Sequence, residues 1–136
     1  MSLEREFERF RGGATEAAQK RIHVTINPQK LILLNRNMYH LFGKPDAVHL
    51  NFSRTRDIIA IEPASPRLTD IFPVVANNFN WRINAAPFCR HFGIDIDTTL
   101  KFIRPEIDGN ILYLKLSETV SVGGRKRKKK AKDQGK

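Results

Sequence analysis

Residues 82–93 read RINAAPFCRHFG, and residues 32–43, fifty positions earlier, read ILLNRNMYHLFG. Both stretches run from an apolar strand-like segment into a short helical segment and end on Phe-Gly. Together with a repeated order of elements, this match predicts an internal duplication of a unit of about 45 residues. At a shift of fifty positions the paired residues are Leu33 and Ile83, Met38 and Phe88, Phe42 and Phe92, Gly43 and Gly93, Leu50 and Leu100, Phe52 and Phe102, and Arg54 and Arg104.

The first copy is expected to contain two strands, a short helix and a hairpin. Residues 22–34 alternate and then become continuously apolar around an Asn-Pro turn, which predicts two strands. Asn35 is the N-cap type of residue, and Gly43 ends a short helix. Residues 47–52 alternate in a period of two, and residues 58–63 return as the second strand of a hairpin.

The second copy repeats this order of elements. Residues 71–85 predict two short strands around Asn-Asn, and residues 86–93 predict a helix with Pro87 near its first position, where proline is tolerated. Residues 99–105 and 111–116 then predict a second hairpin closed by an Asp-Gly turn. Phe79 and Trp81 alternate within the second strand, and this alternation favours a place in the core for both rings.

The flanking segments complete a five-part organisation. Leu3, Phe7 and Phe10 lie at i, i+4 and i+7, which predicts an amphipathic helix that docks on the body and stops at Gly12 and Gly13. The predicted parts are an N-terminal helical segment in residues 1–20, a first repeat in 21–63, a linker in 64–70, a second repeat in 71–117 and a disordered polybasic tail in 118–136.

Charge is distributed unevenly along the chain. The 136 residues have a formal net charge of +10, and the segment from Arg125 to the last residue carries eight Lys or Arg against one Asp. The rest of the chain is only mildly basic. A run of like charge does not pack and is typical of segments that are disordered when unbound.

Composition limits the choice of cellular compartment and of protein class. No run of eighteen apolar residues is present to span a membrane, and the first residues lack the apolar segment of a secretory signal. Cys89 is the one cysteine and cannot form an internal disulfide, which suits a reducing compartment. We expect a cytoplasmic, nucleoid-associated protein in a bacterial source, or a nuclear one in a eukaryotic source.

The repeated unit resembles the swapped-hairpin domain of the AbrB, SpoVT and MazE family. LFGKPDAVHLNFSRTRDIIAIEP (41–63) is similar to the family's helix end and closing hairpin, and NWRINAAPFCRHFG (80–93) is similar to its arginine-bearing approach to the helix. Two copies in one chain resemble tandem members of the MraZ type. The resemblance implies a mainly β fold in which two swapped-hairpin units form an intramolecular pseudo-dimer barrel with short helices.

The same resemblance implies DNA binding by a transcriptional or architectural regulator. It places Arg82 just before the second helix and Arg90 on it, and we expect both to be exposed on one basic face. His40 stands where the family's helix arginine lies, so whether the first copy contacts nucleic acid stays open.

Basic residues in loops and short helices are the candidate nucleic-acid contacts, because each neutralised phosphate releases counterions. The polybasic tail has three interpretations, which are binding of a nucleic-acid backbone, a nuclear import signal and binding to acidic lipid, and the first is favoured. The partner expected is nucleic acid, more specifically double-stranded DNA, with no membrane and with self-association left open. The candidate residues are Lys20, Arg21, Lys30, Arg36, Arg82, Arg90, Arg125, Lys126, Arg127, Lys128, Lys129 and Lys130.

Catalysis receives little support from the sequence. The four histidines show no metal-ligand spacing with a cysteine or carboxylate, and no glycine loop for phosphate is present. Cys89 and His91 are two apart on a helix and therefore point in different directions. We expect no catalytic residue, metal or cofactor. The alternatives are a structural or interaction module whose basic tail binds RNA or a ribonucleoprotein, and an enzyme acting through Cys89.

Overall fold

The structure, a computed structural model, describes residues 21–122. The predicted N-terminal helix, Lys20 and the basic residues from Arg125 lie outside the described residues. The fold is mainly β, as predicted, and two short helices accompany ten strands. The elements are β1 (Val24–Ile26), β2 (Leu31–Leu34), α1 (Arg36–Leu41), β3 (Ala47–Ser53), β4 (Ile58–Ala64), β5 (Phe72–Asn77), β6 (Asn80–Asn84), α2 (Ala86–Phe92), β7 (Leu100–Phe102), β8 (Glu106–Asp108), β9 (Ile111–Lys115) and β10 (Thr119–Ser121).

The ten strands form one antiparallel sheet that curls into a half-barrel. The strand order is β10-β7-β1-β2-β6-β5-β3-β4-β9-β8. Sequential hairpins supply β1–β2, β3–β4, β5–β6 and β8–β9. The remaining neighbours join strands that are distant in the sequence.

Local sequence chemistry sets the turns and helix ends. The side chain of Asn35 accepts a hydrogen bond from the Met38 amide at 3.0 Å, as an N-cap does. Pro87 lies in the first turn of α2, and Gly93 ends that helix in the left-handed region at φ +69°. These features were predicted and are confirmed.

Strands of the two copies alternate across the sheet. In the β2–β6 pair, Ile32 lies opposite Ile83 and Leu33 opposite Arg82, so strands fifty positions apart pair with each other. The pairs β1–β7, β3–β5 and β4–β9 also join residues 21–64 to residues 72–121. Every strand of the first copy therefore has a neighbour from the second.

The core lies inside the curl and draws on both copies. It takes the inward-facing side chains of the strands and the buried sides of α1 and α2, as the alternating pattern requires. Phe102 is 1% exposed and is the largest of the fully buried side chains. The other fully buried large side chains are Ile26, Ile32, Leu34, Met38, Ile59, Ile61, Ile83, Leu112, Leu114, Val24 and Val48.

Two predictions about the second copy are wrong. The expected hairpin does not form, because β9 pairs with β8 and β4, whereas β7 pairs with β1 and β10. Thr119–Ser121, which was assigned to the disordered tail, forms β10 instead. The Thr98 and Ser121 hydroxyls lie 2.9 Å apart, and the Val122 amide donates to the Thr99 carbonyl at 2.9 Å. These bonds hold the segment after β9 against the sheet.

Candidate nucleic-acid interface

Four neighbouring strands of the ten-stranded sheet, with the two helices, carry no carboxylate side chain. Residues 21–45, which form β1, β2 and α1, and residues 71–94, which form β5, β6 and α2, contain no Asp or Glu. The four strands are neighbours in the order β1-β2-β6-β5. We call these strands and their two helices the carboxylate-free half. Its basic residues are Arg21, Lys30, Arg36, Lys44, Arg82 and Arg90.

A hydrogen-bond network at the start of α1 brings two candidate arginines together. The Asn35 side chain accepts from the His23 amide at 3.1 Å and donates to the Arg21 carbonyl at 2.8 Å. The side-chain amide of Asn37 donates to the same carbonyl at 3.2 Å. Arg36 is the first residue of α1, and both arginines are exposed. The start of α1 therefore presents two cations on a fixed backbone.

We expect Asn35→Ala to lower the free energy of unfolding by about 1–2 kcal/mol, because it removes the helix cap and the bonds to the segment before β1. Chemical denaturation measures the loss. Asn51→Ala is the matched control, since Asn51 is exposed on β3. Equal losses in the two variants would contradict the structural role given to Asn35.

Lys30 lies beside the start of α2, and Arg90 lies on that helix. The Lys30 carbonyl accepts from the Ala85 amide at 2.9 Å, which ties the β1–β2 turn to the start of that helix. Lys30 has a positive φ of 67°, an uncommon backbone conformation for a side-chain-bearing residue. Arg90 is exposed in the last turn of α2. The two cations therefore accompany the second helix, as Arg21 and Arg36 accompany the first.

Arg82 differs from these residues because it lies in the middle of β6. Its strand neighbours Trp81 and Ile83 face inward, and the Trp81 ring stacks on Tyr39 with centroids 4.3 Å apart and planes at 9°. Arg82 consequently points to the opposite face of the sheet. It is half-buried, so the expectation that both Arg82 and Arg90 are exposed is wrong for Arg82.

Cross-strand registers extend this outward-facing position into a row. The residues directly opposite one another across six neighbouring strands are Val120, Lys101, Thr25, Leu33, Arg82 and Val75. We call the surface that carries this row the outer face. Lys101 is a second cation on it and was not among the predicted contacts. The alternation of β7 around the inward-facing Leu100 and Phe102 was the signal for its outward position.

Phe79 was predicted to lie in the core, and this prediction is wrong. It occupies the two-residue turn between β5 and β6 beside Asn78, whose φ is +58°, and it is 82% exposed. Trp81 is half-buried and packs against the core. An exposed ring at the tip of a hairpin that belongs to the carboxylate-free half can stack on an unpaired base or on a partner's apolar side chain.

The residues that could take part in catalysis or metal binding are poorly placed for either role. Burial raises the pKa of the Cys89 thiol, an effect that nearby Lys30 opposes, and the raised pKa disfavours the reactive thiolate. Burial, with a smaller effect from Asp46, raises the pKa of Tyr39, whose hydroxyl donates to the Pro45 carbonyl at 3.1 Å. Residues 21–122 hold no group of three His, Cys, Asp or Glu side chains arranged to bind a metal ion. No helix in the same range is long and apolar enough to cross a membrane.

Comparisons with known proteins give no relative from which a role could be transferred. No family model matches the chain, and no curated protein or solved structure matches it. A function for this chain therefore has to be argued from its own residues and geometry.

Proposed function

We propose that this protein binds DNA as a transcriptional or architectural regulator of the AbrB and MraZ type, without catalysis. The observation that carries the proposal is the carboxylate-free half, in which two helix-bearing segments gather six basic side chains. All Asp and Glu of residues 21–122 lie in residues 46–70 and 95–118. Basic side chains in segments that hold no carboxylate side chain attract a polyanion during the encounter.

We further propose that the two copies are interleaved swapped-hairpin halves of one pseudo-dimer. The pairing of β2 with β6 supports this arrangement, because the paired ranges differ by fifty positions, which is the shift between the copies. The exchange of neighbours in β1–β7, β3–β5 and β4–β9 supports it as well. In this arrangement the two helices start at opposite ends of the β2–β6 pair, since Leu34 lies opposite Trp81 and Asn84 lies opposite Leu31.

The arginines of this half suit a phosphate backbone. Guanidinium groups can bind phosphate or guanine with two hydrogen bonds each, and the exposure of Arg21, Arg36 and Arg90 supports such a role. The basic tail from Arg125 adds sequence-independent affinity in the proposal, because its eight cations can each release counterions. The burial of Cys89 favours this binding role over an enzyme that acts through the thiol, because a buried thiol is out of reach of a substrate.

The test is a titration of the full chain and of a chain lacking residues 123–136 against a random duplex pool at several salt concentrations. Removal of the tail is expected to weaken binding to every duplex and to flatten the salt dependence. In the shortened chain, replacing a base-reading arginine should cost about 1–3 kcal/mol at the preferred site and relax specificity there. Replacing a phosphate-binding arginine should weaken all sequences alike. The three substitutions are Arg82→Ala in the middle of β6, Arg90→Ala on α2 and Arg36→Ala at the start of α1.

Arg67→Ala is the matched control, because Arg67 is exposed but lies in the carboxylate-bearing segment between β4 and β5. It should leave binding unchanged. If the shortened parent selects no sequence and the three test substitutions are silent, the body does not read DNA. The interaction module with an RNA-binding or ribonucleoprotein-binding tail then replaces this proposal.

A further inference from the structure

Phe79 occupies a position where neither the turn nor the core uses its ring. It follows Asn78 in the two-residue turn between β5 and β6, and at 82% exposure it is the most exposed large apolar side chain of residues 21–122. Two-residue hairpin turns favour Asn, Asp and Gly, because they require positive φ. Asn78, with a φ of +58°, meets this requirement by itself. The ring of Phe79 is therefore available to contact a partner.

The tip that carries this ring is polar and uncharged. Asn77, Asn78 and Asn80 flank Phe79 in the sequence, and Asn77 lies opposite Asn80 in the last pair of the β5–β6 ladder. Amide side chains both donate and accept hydrogen bonds, and asparagine is one of the residues that read the base edges of the minor groove. The tip thus combines an apolar ring with groups that suit a DNA groove and that bring no negative charge toward the phosphates.

The strand register places this tip beside two exposed cations. Leu34, the last residue of β2, lies opposite Trp81, and α1 starts directly after β2. Arg36 and Phe79 are each two residues beyond that pair, so their Cα atoms are at most about 21 Å apart. Arg21 is held at the same end by the side-chain hydrogen bonds at the start of α1. At 3.4 Å for each base pair, this distance covers about six base pairs, so the ring and the arginines can contact one short segment of duplex.

A lone ring favours a duplex over a single strand. Proteins that bind single strands use several aromatic side chains on which successive bases stack. Trp81, the next aromatic residue after Phe79, is already stacked on Tyr39 with ring centroids 4.3 Å apart and packs against the core. A single exposed ring matches instead the apolar wedge with which minor-groove proteins separate two stacked base pairs and bend the duplex.

We propose that the β5–β6 tip enters the minor groove of duplex DNA, where Phe79 inserts between two base pairs and bends the duplex. Arg21 and Arg36 then bind the flanking phosphates. This inference rests on the proposed function and adds to it the way in which a site is chosen. Pyrimidine–purine steps such as TA unstack easily, so the tip selects DNA by its deformability where no base edge is read.

The β1–β2 turn provides the matched control. It lies fifty positions earlier in the sequence, at the opposite end of the β2–β6 pair and beside the start of α2. Gln29 in this turn corresponds to Phe79 and is also exposed. Gln29→Ala therefore removes an exposed side chain from the equivalent position without removing a ring. Because both positions are on the surface, thermal unfolding should be the same in every variant, and circular dichroism checks this.

The test titrates the full chain into a duplex of about 20 base pairs that has TA steps at its centre and a fluorophore at each end. The unbound duplex is nearly straight, because the persistence length of DNA is about 150 base pairs. Energy transfer between the ends measures bending, and fluorescence anisotropy measures binding in the same sample. The full chain should raise the energy transfer as it binds.

The variants separate the ring from the rest of the surface. Phe79→Ala should abolish the rise in energy transfer and weaken binding by about fivefold or more, which corresponds to the lower limit for one stacked ring. Phe79→Leu should keep most of the bend, because leucine also serves as a wedge between base steps. Gln29→Ala should change neither the energy transfer nor the anisotropy.

Three results would overturn the proposal. Binding of the duplex without a rise in energy transfer, or a rise that Phe79→Ala leaves unchanged, would exclude the wedge and leave the proposed function in place. A larger loss of affinity in Phe79→Ala for the single strand of the same sequence than for the duplex would assign the ring to an unpaired base. Absence of any anisotropy change with the full chain would instead remove the proposed function, and this inference with it.

Discussion

A chain that ends at Pro66 is expected to be unfolded as a monomer. Its four strands keep the hairpin pairs β1–β2 and β3–β4, but β1 loses β7, β2 loses β6, β3 loses β5 and β4 loses β9. Two separate hairpins with half a core are marginally stable at best in water. Circular dichroism and amide exchange of the truncated chain measure the loss.

The matched control is the chain of residues 1–122, which keeps every described strand and should retain the cooperative unfolding of the full chain. Sedimentation velocity separates two results for the shorter fragment. A folded dimer would be consistent with interleaving, since a second fragment can take the place of the missing copy. A well-folded monomer of the Pro66 fragment would rule out the interleaved arrangement.

Phe102→Ala should reduce the free energy of unfolding by about 3–5 kcal/mol, the usual cost of deleting a buried aromatic ring. Phe102 is 1% exposed on β7, and its neighbour Ile103 is 57% exposed. Ile103→Ala is therefore the matched control and should change stability by about 0.5 kcal/mol or less. Denaturant unfolding of both variants gives the two changes in free energy of unfolding. The comparison requires that the dependence of this free energy on denaturant concentration has the same slope in each variant.

Losses of similar size in the two variants would mean that β7 does not present Phe102 inward.

The same experiment on Phe52, which corresponds to Phe102 in the other copy, should give an intermediate loss. Phe52 is half-buried and meets the Phe92 ring at a centroid distance of 5.2 Å. The duplicated position thus gives an internal comparison of burial at constant side-chain chemistry.

Local chemistry explains which parts of the fold were predictable from the sequence. Asn35, Pro87 and Gly93 each act on backbone groups within a few residues, so the two helices and their ends could be predicted. The alternating strands β3, β4 and β9 were predictable for the same reason, because period two follows from the pleat alone. Most inward-facing residues of the core followed from this alternation.

Partner choice is non-local and was not predictable. Alternation shows which side chains of β7 face inward, but it does not distinguish β9 from β1 or β10 as the neighbouring strand. The position of Phe79 depended on where a two-residue turn falls, and a shift by one residue changes the face of every side chain in a strand. The basic residues of the candidate site were predictable as a set. Which strands lie next to one another was not, and the strand order was needed to see that the strands without carboxylates are neighbours.

The sheet of the described residues ends at β10 on one side and at β8 on the other, and each of these strands has three residues. An exposed sheet edge is a template on which further strands, from the same or another molecule, can add and start an aggregate. Edges of three residues offer only a few backbone hydrogen bonds to an incoming strand. Glu106 and Asp108 on β8 add charge to one of them, and Glu106 lies 3.8 Å from the Lys115 ammonium of β9. Two short edges, one of them charged, therefore protect an unclosed half-barrel against growth into fibrils at high concentration.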